Sequence, residues 1–203
     1  MAVRDSKTKL LDATLRVVRS KGYTAARVED ICAEAKVTKG SFFHHFKSKE
    51  DLVFAAILHW DEMTDGLFAQ APYHDLEDPL DRLLAYLEFR KDLLAGELPD
   101  YTCFAGMITQ ETYQTHPELV AACERNISGH AKTLENDISA AMEKYRVNGK
   151  WSAKGLALHT QAVIQGAFIL AKAKGRAEVA ASSIDHLYRY LELLFRTGSK
   201  TTN

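Results

Sequence analysis

Apolar residues return at intervals of three and four along most of the chain, and seldom with the period of two that a half-buried strand shows. From Ser6, read as an N-cap, Leu10, Leu11, Leu15 and Val18 form one stripe that ends at Gly22, a residue suited to a helix stop. Two short helical segments follow, over 27–35 and 38–45, with only two residues between them. Helices this short do not hold alone, so Val28, Ile31, Ala35, Val37, Phe42 and Phe46 must bury against the first helix. Ser48 then reads as a capping hydroxyl with Glu50 and Asp51 in the first turn of a long helix reaching about residue 70. Beyond Pro72 and Pro79, Leu80, Leu83, Leu84, Leu87 and Leu94 recur until Gly96 and Pro99 interrupt them. Further helices are expected over 101–115, 117–145, 152–175 and 177–195. The chain reads as all-α, about nine helices, with a three-helix unit over 1–50 and a larger helical domain over 51–203.

Composition agrees with that outline and narrows the class. Of 203 residues 46% are hydrophobic, enough for a packed core, and only 11 are Gly and 4 Pro. No apolar run approaches the ~18 residues a membrane span needs, and the opening residues lack the hydrophobic stretch of a secretory signal, so a cytoplasmic location is expected. Cys32, Cys103 and Cys123 are widely spaced and form no metal-like pattern with histidine; reduced thiols and no bound metal are expected. The net charge of −1 hides an asymmetry, because residues 1–50 carry a balance of +5 and the remainder −6. A small basic domain beside a larger acidic one fits contact with a polyanion.

The stretch Thr38-Lys39-Gly40-Ser41-Phe42-Phe43-His44-His45-Phe46 gives that contact a form. Phe42 and Phe46, four apart, can face inward while Lys39, Ser41, His44 and His45 stay free, as a groove-reading helix requires. Together with Gly22-Tyr23, Val28-Glu29-Asp30-Ile31, Ala35, Val37 and the run Lys47-Ser48-Lys49-Glu50-Asp51-Leu52, it resembles the DNA-binding domain of the tetracycline-repressor-like (TetR) family. The resemblance implies a helix-turn-helix domain followed by a helical ligand-binding and dimerisation domain. Carried over by position, Lys39, Gly40, Ser41 and His44 would read bases, while Arg27, Thr38, His45 and Lys49 would hold phosphates. Three residues depart from the family's usual pattern: Ala26 where a capping Thr or Ser is common, Lys36 where Gly is usual, and Phe43 where Tyr usually contacts a phosphate.

One helix-turn-helix discriminates little, so a homodimer on a pseudopalindromic operator is expected. Ile164, Phe168, Leu187, Leu191 and Leu194 on the last two helices are the candidate seam. The family usually keeps a small-molecule cavity in its central helices; Trp60, Met63, Phe89, Cys103, Phe104, Met107, Gln110, Tyr113, His130, Gln165 and Phe168 are the residues expected to line it, with Glu111 a further polar group. That set has no dominating charge, which suggests a small, weakly polar effector. Cys103, in the first turn of its helix with Lys172 as a possible partner, offers an alternative: a repressor that senses electrophiles or oxidants through its thiol. No phosphate-binding Gly-rich loop, Gly-x-Ser-x-Gly or His-Glu-x-x-His is present, so no catalytic residue and no cofactor are expected. A helical module that binds only protein would have no use for the basic cluster of Lys39, Lys47 and Lys49.

Overall fold

A computed structural model describes residues 5–196 of the chain. Ten α-helices follow one another: α1 (Ser6–Lys21), α2 (Val28–Ala35), α3 (Lys39–His45), α4 (Lys49–Ala69), α5 (Pro79–Asp92), α6 (Leu98–Tyr101), α7 (Phe104–Thr112), α8 (Pro117–Lys144), α9 (Ala153–Lys174) and α10 (Glu178–Arg196), with a 3-10 turn at Pro72–Asp75. No strand occurs among the described residues. The tenth helix is α6, one turn at Leu98–Tyr101 in the stretch expected only to interrupt the pattern, and extended backbone at Cys103 (φ −70°, ψ 120°) delays the helix expected from 101 until Phe104.

The helices group into two compact units. The first holds the described residues up to 66 together with 102–126. Its core is the inward face of α1, with Leu10, Leu15 and Val18 packed among Ile31, Phe42, Phe46, Leu52, Val53, Ala56 and Ile57, all buried. Local chemistry sets the helix ends. Asp5, not Ser6, caps α1 by accepting the Thr8 N–H at 2.7 Å. Asp30 Oδ2 reaches back to the Arg27 N–H at 3.1 Å, so α2 is capped without a hydroxyl and Ala26 is free to be buried. Thr38 accepts from Ser41 N at the start of α3, and Ser48 from Asp51 N at the start of α4, both at 3.1 Å. Lys36 takes the left-handed conformation (φ 55°, ψ 45°) between α2 and α3, a strained position for any residue but glycine.

The second unit holds residues 67–101 and the described residues from 127. Here α5, α9 and α10 pack through Leu80, Leu83, Leu87, Ile164, Ala167, Ala171, Ile184, Leu187 and Leu191. Asp78 ties α8 to the start of α5: it caps α5 through Leu80 N at 2.8 Å and receives Lys144 Nζ and the Tyr145 hydroxyl, both at 2.7 Å. Arg82 pairs with Asp137 at 2.7 Å, and Lys91 with Asp185 of α10 at 2.7 Å. The helices α4 and α8 contribute residues to both units.

Candidate DNA interface and effector-binding residues

Helix α3 presents two chemically distinct faces. Phe42 and Phe46 are buried beneath it, their rings 6.2 Å apart, whereas Lys39, Gly40, His44 and Phe43 are exposed and Ser41 is half-buried. Phe43, 63% exposed, leans on Phe42 at 4.9 Å and offers an apolar edge where a hydroxyl would be a donor. Gly40 has ordinary helical backbone, and a Cβ built on it would meet only Thr38 Oγ1 at 3.6 Å. Nothing among the described residues therefore requires glycine there. Lys39 forms an ion pair with Glu29 of α2, and the Lys39 hydrogen bond holds the Glu29 carboxyl below its usual range.

Of the four expected phosphate ligands, Arg27 and Thr38 are exposed beside α3. The other two are already engaged. His45 Nε2 lies 2.7 Å from the Ser6 hydroxyl, so that ring braces α1. Lys49 points its ammonium into the turn between α1 and α2, donating to Tyr23 O at 2.9 Å and Ala26 O at 3.1 Å and lying 4.4 Å above the Tyr23 ring. Burial lowers its pKa against the opposing pull of Glu111. A charged group fixed on carbonyls is a structural clasp, which corrects the expectation of a phosphate contact.

Glu111 has a related task that sequence reasoning missed. Its two carboxylate oxygens accept the N–H groups of Tyr23 at 2.8 Å and Thr24 at 2.9 Å, and Tyr23 Oη lies 3.0 Å from His116 Nε2. Gly22 stands beneath with φ 87°, and a Cβ there would come 2.5 Å from Glu111 Oε1. The turn is thus held by Glu111 from α7, each of whose oxygens accepts one backbone N–H, and by Lys49 from α4.

The expected cavity residues divide between the units. In the first, Trp60 lies 6.4 Å from Phe104 and carries the Arg19 guanidinium 5.0 Å above its ring. Met63, Gln110 and Tyr113 are exposed, and Gln110 spends its amide on Gly106 O of its own helix. Met107 is half-buried. Cys103 caps α7, its sulfur accepting the Gly106 N–H at 3.3 Å, while burial pushes the neighbouring Cys123 thiol up to about 12. In the second unit Phe89 and His130 lie against Phe68, a member of the same aromatic series, Phe168 lies 6.2 Å from Tyr101, and only Tyr86 and Gln161 were not anticipated. Phe68 lies 4.4 Å from His130 and 5.7 Å from Phe89. Tyr86 Oη is 2.9 Å from His130 Nε2, and buried Gln161 donates to Tyr86 Oη at 3.1 Å. Gln161, one turn before the half-buried Gln165, makes this contact. Burial and the charge of Arg90 push the His130 pKa down to about 3, so the ring is neutral.

The expected seam residues are also redistributed. Ile164, Phe168, Leu187 and Leu191 are buried in the chain's own interior and cannot face a second copy, and Leu194 is half-buried. The apolar residues that α9 and α10 expose are Leu158, Ile169, Leu170, Tyr190 and Leu193.

A buried-faced α3 with a donor-rich outer face, braced by α1 and α2 in an all-helical chain, defines a helix-turn-helix transcriptional regulator. Residues 10–56 match the bacterial regulatory proteins of the tetR family, and residues 79–187 match the tetracyclin repressor-like C-terminal domain. The chain belongs to the TetR family of DNA-binding transcriptional regulators, and its relatives are regulators and not enzymes. It is 26% identical to an uncharacterized HTH-type transcriptional regulator of Lactococcus lactis subsp. lactis over 91% of this chain and 92% of that one. Among solved structures, a regulatory protein TetR from Rhodobacter sphaeroides superposes with a TM-score of 0.80 at 25% identity, covering 90% of this chain and 96% of that one. A TetR-family regulator from Agrobacterium tumefaciens gives 0.81 at 19% identity, covering 91% and 96%, and shows the fold. No helix among the described residues is long and apolar enough to cross a membrane.

Proposed function

We propose that the protein is a cytoplasmic, homodimeric repressor that holds a pseudopalindromic operator through residues 1–50 and releases it when residues 51–203 bind a small molecule. The observation that carries the DNA half is the outer face of α3: Lys39, Gly40 and His44 are exposed, and Gly40 occupies a position where only an external surface gains from the missing side chain. Lys39 exchanges Glu29 for a base edge on binding, with Ser41 beside it. The second copy docks on α9 and α10. On α9 a stripe of Leu158, Ala162, Gly166, Ile169 and Ala173 runs along one face at helical spacing, and a Cβ on Gly166 would meet nothing within 4 Å. Small residues between large ones let two helices approach closely. Release follows from a change in α4, a single helix from Lys49 to Ala69, that alters the spacing of two reading heads.

Binding to fragments from the gene's own upstream region, measured by fluorescence anisotropy, tests the reading. Lys39→Ala should lose about 1–3 kcal/mol on the specific site and relax its base preference. Leu193→Glu should yield monomers in sedimentation and lose cooperative operator binding; a monomeric wild type at micromolar concentration defeats the dimer.

A second reading attaches to the half-buried Cys103, whose sulfur caps α7 where the helix dipole favours an anion. In this reading S-alkylation of Cys103 by N-ethylmaleimide releases the operator and Cys103→Ser stays bound. Equal release of both proteins rejects it.

A further inference from the structure

We infer that Arg90 and His130 form an anion-accepting subsite, and that the effector of this regulator carries a carboxylate on a small apolar body. The inference rests on the effector-release reading above.

Arg90 lies on α5, half-buried, with its guanidinium 5.3 Å from the Phe68 ring centroid and 5.6 Å from that of Phe168. The rings cover the cation, yet it makes no hydrogen bond and no ion pair with any described residue. Carboxylates of the same unit are committed elsewhere: Asp137 to Arg82, and Glu88 and Asp185 to Lys91. Guanidinium is a planar fork of five donors with no acceptor, and an aromatic face satisfies its charge in part but none of its N–H groups.

His130 supplies a second donor. Gln161 donates to the Tyr86 oxygen at 3.1 Å, and the Tyr86 hydroxyl has no acceptor among the described residues other than His130 Nε2 at 2.9 Å, so we assign its proton to that contact. Burial and Arg90 keep the imidazole neutral, which leaves its one proton on Nδ1. That N–H has no partner among the described residues. His130 and Arg90 both lie against Phe68, with ring centroids 4.4 Å apart for His130 and the guanidinium 5.3 Å from the same ring.

Two donors without partners among the described residues, one of them permanently charged, favour an anion. A carboxylate matches the guanidinium fork in two parallel hydrogen bonds. The neighbouring rings of Phe68, Phe89, Tyr73 and Phe168 favour an apolar remainder. A charge is therefore present in this region, contrary to the weakly polar effector expected from the aromatic residues alone.

Benzoate, propionate and phenylacetate, each compared with its uncharged amide at matched ionic strength, test this on the full chain by calorimetry and thermal melting. At least one acid should bind at millimolar concentration and its amide about tenfold or more weaker, because the amide cannot take both forks of a charged pair. Arg90→Met should remove the preference for the acid, and Arg90→Lys, which keeps the charge and loses the fork, should fall between. The comparison of acid with amide on the wild type needs no variant, so a poorly folding Arg90→Met does not rescue the idea. Equal affinity of acid and amide, unchanged acid binding in Arg90→Met, or no acid bound at all overturns the subsite. Operator release is read separately. An acid that binds through Arg90 but leaves the operator occupied overturns the assignment of the effector and leaves the subsite standing. An uncharged compound that releases wild type and Arg90→Met alike overturns the subsite and leaves the effector-release reading intact.

Discussion

Replacing Lys49 by Met should unsettle the fold of the DNA-binding unit without altering how it meets phosphate. The ammonium donates to two carbonyls of the α1–α2 turn, Tyr23 O at 2.9 Å and Ala26 O at 3.1 Å, and lies 4.4 Å over the Tyr23 ring. Hydrogen bonds to a charged donor contribute about 1.5–3 kcal/mol each, and a half-exposed side chain sits at the low end of that range. The ring contact adds about 0.5–1 kcal/mol. Methionine retains the apolar stem, so the loss is electrostatic, about 3 kcal/mol. In urea at pH 7 the midpoint should fall with the slope unchanged. Operator affinity, measured at a temperature where the variant is folded, should keep the wild-type dependence on salt. A lysine that held a phosphate would instead lower the slope of log K against log salt by about 1. Unchanged urea stability together with that smaller slope would refute the clasp and restore Lys49 to the DNA surface.

Three further substitutions probe the same logic. Lys36→Gly should stabilise the protein by about 0.5–1 kcal/mol, since it relieves a left-handed residue at φ 55° while adding freedom to the unfolded chain; a lower urea midpoint would contradict this. Gly22→Ala should cost about 2–4 kcal/mol, because φ 87° is unfavourable for alanine and its Cβ would meet the Glu111 carboxylate; a neutral result would mean the Glu111 clasp yields freely. Asp78→Asn keeps the α5 cap but loses the charge. Burial opposes ionisation of Asp78, yet Lys144, Tyr145 and two backbone N–H groups outweigh it and hold the pKa at about 2 against the usual 3.8. A depressed carboxyl stabilises the fold above its unfolded pKa and loses that contribution as the pH falls toward the folded value. The wild type should therefore exceed the variant by about 2 kcal/mol at pH 7, with the gap closing between pH ~4 and ~2. A gap that persists at pH ~2 would assign the effect to packing.

What could be read from the chain is what is decided within a few residues. The cap at Ser48, the stop at Gly22 and the inward pair Phe42 and Phe46 depend on neighbours one turn away, and the structure realises each of them. Lys49 and Glu111 were misjudged because their partners lie 26 and 88 residues distant in sequence. A sequence shows that a side chain is charged and which face of a helix it occupies, but not which remote carbonyl or N–H it will meet. The exposed apolar residues of α9 and α10 differ from the expected seam residues for another reason. Both helices carry large apolar residues on two faces, Ile164 and Leu191 inside and Ile169 and Leu193 outside, so periodicity identifies the helices without ranking their faces. The same limit hid Arg90. Aromatic residues announce a core wherever they occur, whereas a guanidinium becomes informative only once Asp137, Glu88 and Asp185 are seen to be paired with other cations. On the proposed reading, recognition falls to groups that packing leaves at the surface or without a hydrogen-bond partner, Lys39 and His44 outside α3 and Arg90 between two rings, and such groups are defined by the tertiary structure and not by residue type.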